Sequence, residues 1–313
     1  SHVTQSKPLC KTMNVLPINK SMTSASQPPV DASLEIAAPF QNNFDKRFYF
    51  MSSMHEEAMS RLHYLVEDGN FAIGMLAGPC GSGKSLLRST LHANLDKQNF
   101  YCVAIESPLL DLDGMMLEII SQVRGIRYST KDLPDRYSRL AEFKSCLHEQ
   151  VTVPGKHLII SIDEAHLLDN ESLEGLRSLS NISAPTQNLF TILLVGQPEL
   201  EQRINAIPAL EQRIGLRVRL SAMDRNTCKK YIEHRMQTAG LLDMLELSSH
   251  MYASLFMLTG GIPRLINNLL KLGIEYARIN NRKLDDSVVS AVISDQASST
   301  DTGSNIHKDH GHE

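Results

Sequence analysis

Gly78-Pro79-Cys80-Gly81-Ser82-Gly83-Lys84-Ser85 fits the pattern G-x-x-x-x-G-K-[ST], with the apolar run Phe71 to Ala77 ahead of it and Leu86-Leu87-Arg88 behind. Read outward, the order is strand, glycine-rich loop, helix, the setting that turns so short a pattern into a phosphate site. Glycines let successive backbone N–H groups turn toward one point at the positive end of a helix, forming an anion-binding hollow. Lys84 adds a mobile cation near the terminal phosphates, and Ser85 offers a hydroxyl to Mg²⁺. The phosphate-binding segment is therefore expected to run from Gly78 to Leu86.

The second half of such a site is sought in another strand. His157-Leu-Ile-Ile-Ser-Ile162 is one, followed at once by Asp163-Glu164-Ala165-His166. Its apolar run fits the middle of a parallel sheet, and the two acids fall at its carboxyl end, where ligands of open α/β sheets sit. This is a Walker B arrangement: Asp163 is expected to hold Mg²⁺ and Glu164 to orient and polarise the attacking water. The competing reading of Glu164 is an acid that merely opens a helix.

Two further strands are expected, Phe100 to Glu106 and Asn188 to Val195, the latter ending at Gly196-Gln197-Pro198. In the sheet of an ATPase with a catalytic Glu, the strand between the two Walker strands ends in a polar residue that reaches both γ-phosphate and water. Gln197 is the candidate, and capping of the next helix is its alternative role. After Pro208, the segment Glu211-Gln212-Arg213 leads into a fifth strand, Ile214 to Leu220. Arg203, Arg213 and Arg217 could each point at a neighbour's nucleotide, and Arg213 is chosen by its position; otherwise it is a surface Arg in an ion pair. Upstream, Tyr49 and His55, with Phe48, either wall an adenine or pack on the core. Helical spacing follows at Ala58, Leu62, Leu65 and Val66. Met115 to Val123, Ser138 to Val151 and Asn170 to Leu179 also read as helices.

From Asp224 on, only helices are expected: Arg225 to Ala239, Ser248 to Leu258, Pro263 to Ile279 and Asp285 to Ile293, broken at Gly240 and Gly260-Gly261. Pro263 at a helix start projects Arg264 back toward the nucleotide, unless Arg264 is only a surface cation. Residues 1–38 form an expected flexible arm, 39–221 the core, 222–296 a helical lid and 297–313 a flexible tail, whose His307, His310 and His312 only loosely resemble a metal-binding run.

The 313 residues, 42% of them hydrophobic, suffice for a sizeable core, and a net charge of −4 gives no overall pull toward nucleic acid or acidic membrane. Cys10, Cys80, Cys102, Cys146 and Cys228 contain no C-x-x-C, which argues against a disulfide framework or zinc site and for a reducing cytoplasm. No stretch reaches the roughly 18 apolar residues that span a bilayer.

This order of motifs, with Gln212-Arg213 and Gly260-Gly-Ile-Pro-Arg264, resembles the AAA+ ATPases over about residues 39–294. More narrowly it resembles the ExeA/GspA group of secretion-associated ATPases, in which a segment like Phe40...Phe50...His55-Glu-Glu-Ala58 precedes the loop and Gly-Gln-Pro-Glu-Leu200 follows the fourth strand. Cys80 stands where that group usually has Val, and Ser85 where Thr is more usual. The resemblance implies an α/β P-loop NTPase core with a five-stranded parallel sheet and a small all-α lid. ATP and Mg²⁺ would lie between core and lid. It also implies a ring or helical homo-oligomer in which Arg213 reaches the next subunit and Arg264 acts on its own, coupling hydrolysis to a protein partner complex. The alternative is a DNA-binding transposition regulator of the TnsC/TniB type, for which Lys229, Lys230, Arg235 and Arg282 are the basic residues on the lid.

Overall fold

Ile73–Ala77 (β1) is buried at all five residues, and Phe190–Gly196 (β4) at all seven. Strands without a wet face need cover on both sides, and the chain supplies it with helices between successive strands. A computed structural model of the protein describes residues 38–42, 46–106, 110–182 and 188–302. The arm 1–37, Phe44, and the histidines at 307, 310 and 312 lie outside them.

The elements follow in order. Ser53–Asp68 (α1), β1 and Lys84–Asn94 (α2) lead to Phe100–Ile105 (β2), Leu112–Arg124 (α3) and Arg136–Leu147 (α4). Then come His157–Ile162 (β3), Asn170–Leu179 (α5), β4, Glu199–Asn205 (α6), Pro208–Glu211 (α7) and Ile214–Arg219 (β5). The five strands pair in parallel in the order β2-β3-β4-β1-β5. β4 thus separates β1 from β3, as the reading of Gln197 requires. Alternation along the strands sends Ile73 and Met75 to a core shared with Met115, Ile119 and Leu173, while Leu76 packs with Leu62, Leu65 and Leu87 on the other face.

The helical region comprises Arg225–Thr238 (α8), Leu245–Glu246 (β6), Ser249–Thr259 (α9), Pro263–Ile279 (α10), Leu284–Asp285 (β7) and Asp286–Thr302 (α11). It has its own core around Tyr231, Ile232, Leu255, Ile266 and Leu270, into which Phe40 from the start of the described chain is fully buried. Three details depart from the helices expected. β6 and β7 form a short parallel pair, Leu245 with Leu284 and Glu246 with Asp285; two residues per strand leave no periodicity to read. The helix expected over Ser138 to Val151 is α4 followed by a π turn, His148–Thr152. α11 also continues past Ile293. No helix among the described residues is long and apolar enough to cross a membrane.

Side chains close six of the described helix starts. Side chains of Ser52, Asp111, Asp135, Asp169, Asp224 and Ser248 accept hydrogen bonds from first-turn N–H groups of α1, α3, α4, α5, α8 and α9. α2, like α6, α7 and α10, has no side-chain acceptor at its start, and its cap is Gly83 with φ 98°. Its first N–H groups are left for something other than protein.

Candidate nucleotide site

The open end of α2 faces a cavity of about 260 Å³ lined by loop residues Cys80, Gly81, Gly83, Lys84, Ser85 and Leu86, by Glu164, and by Pro263 and Arg264 of α10. The loop residues Gly81 and Gly83 have φ of 80° and 98°, a region costly for any residue with a Cβ. At Gly81 space forbids one as well, since a Cβ would lie 2.6 Å from Cβ of Arg264 and 3.2 Å from Cγ2 of Ile262. Gly78 and Pro79 point their carbonyls at Lys84, whose Nζ donates to both at 2.9 Å. Burial lowers the Lys84 pKa, while Glu164, Cys80 and Asp163 oppose that shift. The buried Ser82 Oγ has no hydrogen-bond partner.

Ser85 is exposed at the cavity and its side chain hydrogen-bonds the buried Asp163. Burial raises the Asp163 pKa, against the pull of Arg88, whose Nη2 lies 3.3 Å from Oδ2. The same Nη2 donates to Glu106 at 3.0 Å. Arg88 is itself buried, one turn beyond Lys84 on the same face of α2, so the i, i+4 spacing was the signal that could have singled it out.

Glu164 adopts a left-handed conformation, φ 49°, and is one of two non-glycine residues with positive φ among the described residues. Such backbone strain gathers at functional positions. Glu164 does not open a helix: a 3-10 turn, Ala165–Leu167, follows it, and Asp169 caps α5. Its carboxylate is half-exposed into the cavity, with Oε2 3.5 Å from Nδ1 of His166. Gln197 follows β4 as expected, and its side chain meets Nε2 of His166 at 3.1 Å.

The three arginines separate cleanly. Arg203 donates to the His166 carbonyl and to Asn170, and Arg217 is held by Glu201, Asn205 and Glu211. Arg213 is exposed, and its guanidinium has no partner among the described residues. Arg213 also precedes β5, whose other end, not this one, adjoins the loop: the Leu220 N–H donates to Ala77 O. Six residues of strand put about 20 Å between the two ends, beyond the reach of an Arg into its own site. Arg264 lines the cavity, its Nη1 3.3 Å from Sγ of Cys80.

Tyr49 and His55 fall elsewhere. His55 is buried behind the loop, with Nδ1 2.7 Å from Ser52 Oγ and Nε2 3.2 Å from Ser82 O; burial lowers its pKa, opposed by the Ser82 contact. The half-buried Tyr49 hydroxyl donates to Met51 Sδ, and burial raises its pKa. Neither lines the cavity. Its outer wall is made instead by Gln41, Asn42, Tyr231, Arg235 and Asn267. Arg235 holds this wall together, donating to the Pro39 and Gln41 carbonyls and to the Tyr231 hydroxyl. Asn42 joins Asn267 and Asn268 of α10. No local pattern ties Asn42 to Asn268, 226 positions away, so this wall leaves no mark in any short stretch of sequence.

These groups fit a nucleoside triphosphate and its metal. Free helix N–H groups, a glycine cradle and two cations suit phosphates; amides and a Tyr suit a base. Among the described residues no cluster of three His, Cys, Asp or Glu could hold a metal by itself. Ser85 and Asp163 are the residues that would hold Mg²⁺, with phosphate oxygens completing its shell.

Residues 68–204 match the family described as AAA domain. The chain is 28% identical over 234 residues to General secretion pathway protein A of Aeromonas hydrophila, covering 73% of this chain and 41% of that protein, about two fifths of its length. Among solved structures, the Aeropyrum pernix ORC2 protein in ADPNP–ADP complexes superposes with a TM-score of 0.61 at 18% identity, over 82% of this chain and 71% of the other. Drosophila ORC bound to DNA gives 0.61 at 13% identity, over 90% and 71%. At these identities the structures speak for the fold alone. With the cradle, the paired acids and the five-stranded order already in place, residues 68–204 form an AAA domain, the ATP-hydrolysing kind of P-loop domain, and the chain resembles the ExeA/GspA group.

Proposed function

We propose that the chain binds ATP with Mg²⁺ in this cavity, hydrolyses it at subunit interfaces of a homo-oligomer, and uses the cycle to remodel or assemble a protein partner complex. The carrying observation is the split between groups that converge on the cavity and Arg213, which cannot reach it. Lys84 and the loop N–H groups bind phosphate, Ser85 and Asp163 hold the metal, and Glu164 takes the proton of the attacking water. Gln197 and Arg264 read the γ-phosphate. Arg213 from a neighbour supplies positive charge as negative charge develops on the transferred group. The base lies against Asn42, Tyr231 and Asn267, so the segment before α1 and the lid respond together to the nucleotide.

A protein partner is favoured over DNA by the fate of the lid's basic residues. Lys229 faces Glu233, the exposed Lys230 lies close enough to Asp224 to help lower its pKa, Arg282 pairs with Asp285, and Arg235 is bound to buried backbone carbonyls. Such paired or buried charges add little to phosphate-backbone binding. The test is the rate of ATP hydrolysis per subunit as protein concentration rises, with and without EDTA, alongside sedimentation. The rate should climb with assembly and vanish with EDTA. A rate per subunit that stays constant across the dissociation range would overturn the interfacial site.

A further inference from the structure

The peptide between Ser82 and Gly83 is supported on one face and open on the other. On the supported face stands His55, with Nε2 3.2 Å from the Ser82 carbonyl oxygen. The ring is so close that a Cβ on Gly83 would lie 3.2 Å from the same nitrogen. On the open face, the Gly83 N–H has no hydrogen-bond partner among the described residues. Gly83 lines the nucleotide cavity, and His55 does not.

The neighbours of the ring decide which nitrogen carries its proton. A carbonyl only accepts, so Nε2 is the protonated nitrogen and donates to Ser82. Nδ1 is then an acceptor, and the Ser52 hydroxyl, 2.7 Å away, donates to it. That hydroxyl oxygen in turn accepts from the His55 backbone N–H at 3.4 Å, which leaves its hydrogen for the ring. Both ring nitrogens are thus served with the imidazole neutral, and burial lowers its pKa in the same sense. The peptide after Ser82 is trans, so its N–H points the opposite way from its carbonyl. A carbonyl pinned to His55 therefore turns the Gly83 N–H to the cavity side.

We infer that His55 is a positioning residue for phosphate binding: by holding the Ser82 carbonyl, it aims the Gly83 N–H at the anion in the loop. Glycine at φ 98° leaves this peptide free to swing, and a donor that swings binds an anion poorly. His55, held by Ser52 at the cap of α1, removes that freedom before the nucleotide arrives. The inference rests on the loop N–H groups binding phosphate. It adds that one of them is aimed by a residue 27 positions upstream that never touches the nucleotide.

Three variants test it: His55→Ala, His55→Gln and His55→Asn. A Gln side chain places an N–H near the Nε2 position, whereas Asn reaches only the Nδ1 position. His55→Ala should weaken the binding of fluorescent ADP about 10-fold or more, the scale of one charge-assisted hydrogen bond. His55→Gln should recover most of that loss and His55→Asn little of it. Equal affinities in the Gln and Asn variants would overturn the inference. Ser82-Gly83 is the single Ser-Gly pair in the sequence, so protein made by cell-free synthesis with ¹³C-carbonyl serine and ¹⁵N-glycine gives one signal through the shared peptide bond, the Gly83 amide. At saturating ADP this signal should move downfield in the native chain and in His55→Gln, and much less in His55→Ala. The same displacement in all three would leave His55 a structural brace and overturn the aiming role. A further readout needs neither nucleotide nor a stable Ala variant: ¹⁵N spectra of the native imidazoles should give His55, the signal missing from His55→Gln, as the Nε2–H tautomer, and an Nδ1–H ring would overturn the inference. A native chain that binds no ADP would bring down the phosphate site itself, and this inference with it, so the two failures are told apart.

Discussion

A Cβ on Gly81 would stand 2.6 Å from Cβ of Arg264, so the phosphate loop and the first turn of α10 touch where the loop has no room for a side chain. Nucleotide and lid are thereby joined mechanically: whatever fills the loop meets the helix that bears Arg264. Gly81→Ala must relieve a φ of 80° and this contact together. The backbone conformation alone costs about 1–2 kcal/mol, roughly tenfold in an equilibrium. ATP affinity, measured by titration with a fluorescent analogue, should fall at least tenfold, while Gly125→Ala, where φ is 69° but no atom lies within 4 Å, should leave it unchanged.

Asp163 is tied to the buried Arg88, so its substitution has two consequences. Asp163→Asn should raise the Mg²⁺ concentration needed for turnover. It should also destabilise the fold by about 1–3 kcal/mol, because Arg88 loses its buried counter-charge and keeps only the more exposed Glu106. Adding Arg88→Met should restore the urea midpoint but not the turnover. Recovery of both would mean that Asp163 serves Arg88 and not the metal.

The loop, the acids after β3 and the helices over 170–179 and 263–279 were legible because each is local: a spacing, a run, or a cap within a few residues. Position alone singles out Arg213 in the sequence, and in the fold Arg203 and Arg217 are the two that other residues engage. What could not be read depended on distant pairing. Asn42 meets Asn267 and Asn268, and β6 meets β7, only after the lid has folded. His55, upstream of the loop, could wall a base or pack on the core, and burial with two hydrogen bonds makes it a brace beneath Ser82.

His92, on the side of α2 that faces β3, gives the fold a pH dependence. Burial and the nearby Arg88 hold its pKa down at about 4, from an ordinary 6.5, and its Nε2 lies 2.7 Å from Ser161 Oγ. A folded pKa below the unfolded one means that the unfolded chain binds the proton first. Stability is therefore complete above pH 6.5 and declines as pH falls from there toward 4, by up to about 3 kcal/mol. Urea midpoints between pH 7.5 and 4.5 should fall more steeply for the native chain than for His92→Gln, which keeps a polar partner for Ser161 without the titration. Parallel curves would contradict this account.

The composite site makes its sharpest prediction when two dead proteins are mixed. Glu164→Gln should bind ATP yet lose about 100- to 1000-fold in turnover, and Arg213→Ala should lose a comparable amount. In a mixed assembly, an Arg213→Ala subunit still owns Glu164 and can receive Arg213 from a Glu164→Gln neighbour. Hydrolysis measured on equimolar mixtures after disassembly and reassembly should rise well above either variant alone, with a maximum near equal proportions. If every mixture shows only the average of the two inactive proteins, or if Arg213→Ala alone hydrolyses ATP normally in the assembled state, the site is not shared between subunits.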